Sequence, residues 1–266
     1  MMTRYKLTIL GCGNSPGTPT ICNNWGVCDP AEPRNRRLRA SLAVQAEDTT
    51  LIVDTGPDFR YQINRTDIAR IDAILYTHAH SDHVNGIDEL RILRLQEKRL
   101  FPIYGNEETL ATLRTRFAYL FDELEKGVYP KVLDPHVIPC EAYGAPMAIG
   151  AIRFTPYDQD HGTCRSLGYR FGDAAYTTDM LDLPPESIET LRGIKTWIVD
   201  GCAYHTQENR VHATLEKIYA FNETIGATRV IITHLSGQMD YRALCAELPR
   251  GYEPAYDGLV LEAFDS

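Results

Sequence analysis

"YTHAHSDHVNG", residues 76–86, places three of the chain's eight histidines and an aspartate within the six positions from His78 to His83. Such a cluster has two ordinary explanations, a polar surface loop or an accident of composition, and one chemical explanation, a metal site. Imidazole nitrogen and carboxylate oxygen suit Zn, Mn or Fe, at about 2.0–2.2 Å for zinc. In an extended or tightly turning loop, residues i and i+2 can face the same way. His78 and His80 then serve one ion, while Asp82 and His83 turn towards a second. Six positions cannot fill two coordination spheres, so a metal reading demands distant ligands. His161 in "YDQDHGT", Asp179 in "AYTTDM" and His234 in "IITHLSG" answer that demand. A lone histidine at a strand end is more often a hydrogen-bonded rim residue than a ligand. The cluster with its three partners decides for metal.

The surrounding pattern supports one shared rim. Apolar runs of strand length, rich in Val and Ile, occur at 6–10, 51–54, 72–77, 195–200 and 229–234. Four of these runs lead into a polar residue unusual for a core: Asp54, His78, Asp200 and His234. Strand ends in mixed α/β folds open into crevices and commonly carry ligand and catalytic groups. Helices are expected at about 57–66, 86–99, 107–124, 209–225 and 240–247, the last capped by Asp240. Residues 12–41, rich in Gly, Pro and Asn, read as a long loop over or beside the site.

Composition narrows the class. The 266 residues show no internal repeat or low-complexity linker, so a single domain over 1–266 is the simplest organisation. A formal charge of −9 gives no electrostatic reason for a long nucleic-acid partner. No apolar run approaches the ~20 residues that span a bilayer, so no membrane segment is expected. The start, "MMTRYKLTILGCG", reads as a first strand rather than a signal peptide. Seven scattered cysteines then fit reduced thiols in a cytoplasm better than a disulfide framework.

The ordered ligand set resembles that of the metallo-β-lactamase-fold hydrolases, whose motif is His-x-His-x-Asp-His followed by a His, an Asp and a final His. The resemblance covers nearly the whole chain. It implies an α/β fold, an αββα sandwich of two mixed sheets flanked by helices, with the site at one edge. It also implies a first ion held by His78, His80 and His161, a second held by Asp82, His83 and His234, and Asp179 bridging them. "LGCGNSPGTP" at 10–19, "NRRLRAS" at 35–41, "DTGPDFR" at 54–60, "THLSGQMDY" at 233–241 and "AYDG" at 255–258 are similar to PhnP-type cyclic-phosphate phosphodiesterases, and more distantly to tRNase Z. Some of those phosphodiesterases hold a further structural zinc. Here the first loop has only Cys22 and Cys28, and Gly237 stands three residues after His234, so no such zinc is expected.

The resemblance implies a phosphodiesterase acting on a small cyclic, nucleotide-like or sugar phosphodiester. Two divalent ions, Zn or Mn with Fe also admissible, would share a hydroxide that attacks phosphorus. Asp82 belongs to that catalytic centre. His212 in "NRVHATLE" is the candidate to contact phosphate and protonate the leaving oxygen, with His205 as substitute; a surface position near a helix end is the plainer account. His136 reads as structural. Asp54, Asp58 and Asp200 are candidates to orient ligating imidazoles, or simple caps and turns. Arg37, within the only dense basic run (Arg34, Arg36, Arg37, Arg39), and Tyr256 are candidate substrate contacts, although a solvated loop and a turn would explain them too.

The same ligands serve tRNase Z-like nucleases and thioester or lactam hydrolases. A di-iron oxidoreductase usually exchanges one histidine for carboxylate and adds a flavin domain, whereas this chain keeps His80. An inert metal-binding protein is the remaining alternative. Family members are often dimers, so a homodimer is within the expectation.

Overall fold

The computed structural model describes residues 3–123 and 128–265. In chain order its strands are β1 Arg4–Gly11, β2 Ser41–Ala46, β3 Thr49–Val53, β4 Ala73–Leu75, β5 Phe101–Gly105, β6 Leu133–Val137, β7 Met147–Ile149, β8 Ile152–Asp160, β9 Arg165–Phe171, β10 Ala174–Thr177, β11 Thr196–Asp200, β12 Arg229–Thr233, β13 Tyr252–Pro254 and β14 Val260–Phe264. The helices are α1 Phe59–Asn64, α2 Ser81–Val84, α3 Leu90–Glu97, α4 Glu107–Arg116, α5 Ala118–Phe121, α6 Pro185–Leu191, α7 Leu215–Ile225 and α8 Tyr241–Glu247.

Among the described residues the strands form two seven-stranded mixed sheets, ordered β14-β1-β2-β3-β4-β5-β6 and β13-β12-β11-β10-β9-β8-β7. β3 through β6 run parallel to one another, as do β10 through β13, so their carboxyl ends share one edge within each sheet. Period-two alternation explains how the first sheet is covered on both faces. Leu51 and Val53 point into the core between the sheets with Trp197, Tyr169 and Phe171, while Ile52 joins Phe59, Leu90, Leu113 and Phe121 under the helices. Helices α1 and α3–α5 pack on the first sheet, and α6 and α8 on the second. The result is the helix–sheet–sheet–helix sandwich that the motif implied. No helix among the described residues is long and apolar enough to cross a membrane.

The five expected strands fall on β1, β3, β4, β11 and β12, but Asp54 and His234 lie just past their strand ends and β4 stops at Leu75. The helices needed more correction. The segment 57–66 shortens to α1, and 86–99 becomes a 3₁₀ turn at Ile87–Glu89 followed by α3. The run from 107 breaks at Phe117 (φ −127°, ψ 39°), and its expected end at 124 lies outside the described residues. The segment 209–225 turns helical only at Leu215, where Thr214 Oγ1 accepts the Lys217 N–H at 3.3 Å. Asp240 caps α8 as expected, accepting from the Arg242 and Ala243 N–H groups at 3.0 Å each.

The loop from 12 lies beside the segment that follows β12. Leu235 N–H donates to Cys12 O at 2.7 Å, and Val27 N–H to Gly237 O at 2.8 Å. Arg37 is buried beneath that segment, donating to Ser236 O (2.9 Å), Met239 O (2.5 Å) and Asn35 Oδ1 (3.1 Å).

Candidate metal centre

The chain leaves β4 and runs through Tyr76 and Thr77 to His78; α2 then begins after the extended His80 and coils Asp82 and His83 back under the turn. Gly56 makes that packing feasible, because a Cβ there would stand 2.2 Å from Asp82 O. Thr55 N–H fastens the same turn to His83 O at 2.8 Å. His161 sits in the β8–β9 turn, whose Gly162 (φ +75°) lies so close to Arg210 O that a Cβ would reach 2.1 Å. Asp179 follows β10 and His234 follows β12. Asp54, Asp179 and His234 all adopt left-handed backbone, with φ of 63°, 51° and 57°. Non-glycine residues pay about 1–3 kcal/mol for that conformation, which recurs where side chains are aimed by surrounding structure.

The seven expected ligands converge as two groups sharing Asp179. His78, His80, His161 and Asp179 form one, and Asp82, His83, His234 and Asp179 the other. Asp179 Oδ2 faces His161 Nε2 at 3.2 Å and His78 Nε2 at 3.5 Å. Its Oδ1 faces His234 Nε2 at 3.1 Å and His83 Nε2 at 3.3 Å. His80 Nδ1 stands 3.3 Å from His161 Nε2. Donors about 2.0–2.1 Å from a tetrahedral ion stand about 3.3–3.4 Å from one another, so these separations suit one ion in each group.

Hydrogen bonds set the imidazole tautomers. Asp54 accepts from Thr77 N–H and Oγ1–H at 2.8 Å each, and from His83 Nδ1–H at 2.7 Å. Thr77 Oγ1, its proton given to Asp54, accepts from His78 Nδ1–H at 3.0 Å. His161 Nδ1–H donates to Val211 O at 2.7 Å. His78, His83 and His161 therefore turn an Nε2 lone pair towards Asp179. Asp82 Oδ2 and the Nε2 atoms of His78, His83 and His234 are buried without hydrogen-bond partners, which the interior does not tolerate without a compensating group. Bound metal would supply that group, and the two clusters have the donor set to hold it.

Burial pushes the Asp179 carboxyl up, but His234 and His83 hold it well below the usual carboxylate range. Burial likewise opposes ionisation of Asp82, yet the adjacent rings of His234 and His83, 3.7 and 3.3 Å from its Oδ2, hold its carboxyl below the usual carboxylate range. Burial, then the neighbouring His83, keeps His78 neutral.

Asp200 ends β11 and joins a second unit to the centre. His212 Nδ1 lies 2.6 Å from its Oδ2, while its Oδ1 faces His234 Nδ1 at 3.6 Å and accepts from Cys202 N–H at 2.8 Å. Burial disfavours a charged His212, yet the Asp200 carboxylate raises its pKa to about 9. The His212 ring stands 5.2 Å from that of His161 and 5.1 Å from that of His234, centroid to centroid.

Other candidates go elsewhere. Asp58 touches no ligand; it binds Arg39 through N–H (2.9 Å) and Nη1 (3.0 Å), tying the first loop to α1. Arg37 is buried away from the ligand groups, its Nη atoms taken by Ser236 O, Met239 O and Asn35 Oδ1, so it presents no guanidinium face to a phosphate. Arg34 covers the rings of Tyr241 and Tyr256, and Arg36 covers Trp25, so the basic run braces the loop. Tyr256 accordingly packs against Arg34 and Tyr241, while its neighbour Asp257 accepts from Cys12 and Leu38 N–H at 3.0 and 2.8 Å. His205 is clamped between Glu216 and Glu247 at 2.6 Å each, and His136 stacks on Tyr104. Thr77 and Cys202 escaped the sequence reading. Thr77's place beside the first ligand was the available signal; for Cys202, whose sulfur groups with His212 and His234, there was none.

A family model described as "Beta-lactamase superfamily domain" matches residues 49–235. An octanoyltransferase from Porphyromonas gingivalis is 32% identical over 257 residues, 96% of this chain and 51% of the relative. A ribonuclease Z from a Bradyrhizobium species is 27% identical over 187 residues, 67% of this chain and 59% of the relative. The chain thus spans about half the length of these curated relatives. Among solved structures, a diphosphatase from the PhnP family superposes with a TM-score of 0.88 at 35% identity, covering 99% of both chains. The short form of human tRNase Z, at 18% identity, TM-score 0.69 and coverage of 96% and 98%, shares the fold. The chain belongs to the beta-lactamase superfamily, with the metallo-β-lactamase fold that it shares with the PhnP-family diphosphatase and human tRNase Z.

Proposed function

We propose that this protein is a dinuclear metal-dependent phosphodiesterase acting on a small phosphate ester, cyclic, nucleotide-like or sugar-based. The observation that carries the reading is the Asp200–His212 pair set against the rings of His161 and His234, beside two ligand groups joined by Asp179. Bound Zn or Mn ions supply a water of lowered pKa and positive charge against the phosphoryl oxygens. Asp179 holds the two ligand groups in fixed relation through its two oxygens. Asp54 keeps His83 in its donor tautomer. Asp200 fixes His212 through Nδ1, so that the Nε2 proton can pass to the departing oxygen.

The family relationship supports hydrolysis, and the 35%-identical diphosphatase makes a P–O–P bond a reasonable second substrate class. A ribonuclease Z-like reading draws on the Bradyrhizobium relative, but the net charge of −9 gives no general attraction for tRNA.

The test uses protein loaded with Zn or Mn and offered bis(p-nitrophenyl) phosphate, a cyclic nucleotide, a nucleoside diphosphate, a precursor tRNA and a β-lactam, with His80→Ala as control. Metal-dependent diester hydrolysis that disappears in the control supports the proposal. Turnover of the lactam alone would overturn it.

A further inference from the structure

His80 differs from His78, His83 and His161, and, unlike the buried His234, it is exposed. His78, His83 and His161 each have their second ring nitrogen fixed by Thr77, Asp54 or Val211 O, whereas among the described residues no hydrogen bond reaches Nε2 of the exposed His80. Its position must be set through the backbone. One side chain grips that backbone. From the last turn of α4, Arg116 Nη1 donates to Ala79 O at 2.7 Å, and Nη2 donates to Asn85 Oδ1 at 2.8 Å and Ser81 Oγ at 3.3 Å. Ala79 lies between the ligands His78 and His80, Ser81 opens α2, and Asn85 follows its last residue. A single guanidinium thus spans both ends of the turn that presents His80, Asp82 and His83.

We propose that Arg116 is a positioning residue for the metal loop, holding the peptide between His78 and His80 so that His80 completes the first ligand group. Its planar fork reaches three acceptors at once, which a lysine ammonium on a flexible stem cannot reproduce. The helix break at Phe117 ends α4 directly after Arg116, and the carboxyl end of a helix favours a cation there. This role rests on the metal-centre reading and is independent of which ester is the substrate.

The test measures metal affinity rather than turnover. Metal-stripped wild type, Arg116→Ala, Arg116→Lys and Arg114→Ala are titrated with Zn against a chromophoric chelator, with Co absorption reporting which ligand group fills. Arg114 instead pairs with Asp122 and serves as the neighbouring control. The expected result is about a tenfold loss for one of the two ions in Arg116→Ala, the size typical for supports behind a ligand. Lysine should restore it only in part, and Arg114→Ala should match wild type. Wild-type affinity for both ions in Arg116→Ala would overturn the proposal. So would equal loss of both ions with lost circular dichroism in both Arg116 variants, since that marks a general folding role. If wild type binds two ions but cleaves no diester, the substrate reading fails and this one stands.

Discussion

Asp179 Oδ1 faces His234 Nε2 and His83 Nε2, while its Oδ2 faces His161 Nε2 and His78 Nε2, so one carboxylate spans both histidine groups. Each separation is 3.1–3.5 Å, and the side chain is almost fully buried. Asp179→Ala is expected to leave less than one tightly held ion per chain and no measurable hydrolysis, as read by elemental analysis after gel filtration. Two retained ions would show that Asp179 does not link the groups.

Asp54 acts one bond further out. Asp54→Asn can still accept from Thr77, but loses the charge facing His83 Nδ1. Affinity for one ion should fall about 10–100-fold. Chelator competition measures this directly.

His212 should matter in proportion to how badly the leaving group needs a proton. With an alkyl or ribosyl leaving group, His212→Ala is expected to lower kcat about 10²–10⁴-fold, the usual range for general acid catalysis. With p-nitrophenolate, which departs unprotonated, the loss should be small. Equal losses on both substrates, at full metal content, would move His212 to phosphate binding.

His205 offers a pH-dependent contact away from the metals. Hydrogen bonding to Glu247, then Glu216, raises its pKa above 6.5, so its folded value exceeds its unfolded one. The stabilisation is therefore complete below about pH 6.5 and is lost as pH rises through the raised value. The side chain is 47% exposed, so the contribution stays under about 1 kcal/mol. His205→Gln should flatten this part of the Tm–pH profile without altering metal content.

Asp257 is structural. Asp257→Asn keeps one acceptor oxygen for two backbone donors, Cys12 N–H and Leu38 N–H, and should cost about 1–3 kcal/mol in denaturant unfolding.

The amino-acid sequence determined a good deal unaided. His78, His80, Asp82 and His83 are close along the chain, so their chemistry showed locally, and the Val- and Ile-rich runs announced β3, β4, β11 and β12. The order of His161, Asp179 and His234 followed from the family motif.

Only the tertiary structure decided which arginine touches what. Arg37 belongs to a run that reads as a phosphate patch, yet it lies beneath Ser236 and Met239, about 200 positions later in sequence. Nothing in the local sequence ties Arg116 to Ala79; the end of α4 at Phe117 and its packing on the first sheet bring the two together. The left-handed turns at Asp54, Asp179 and His234 were equally hidden, because no glycine marks them. Residue type and spacing record what a side chain can bind. The partner it finds depends on long-range packing, which joins segments that local propensity treats as independent.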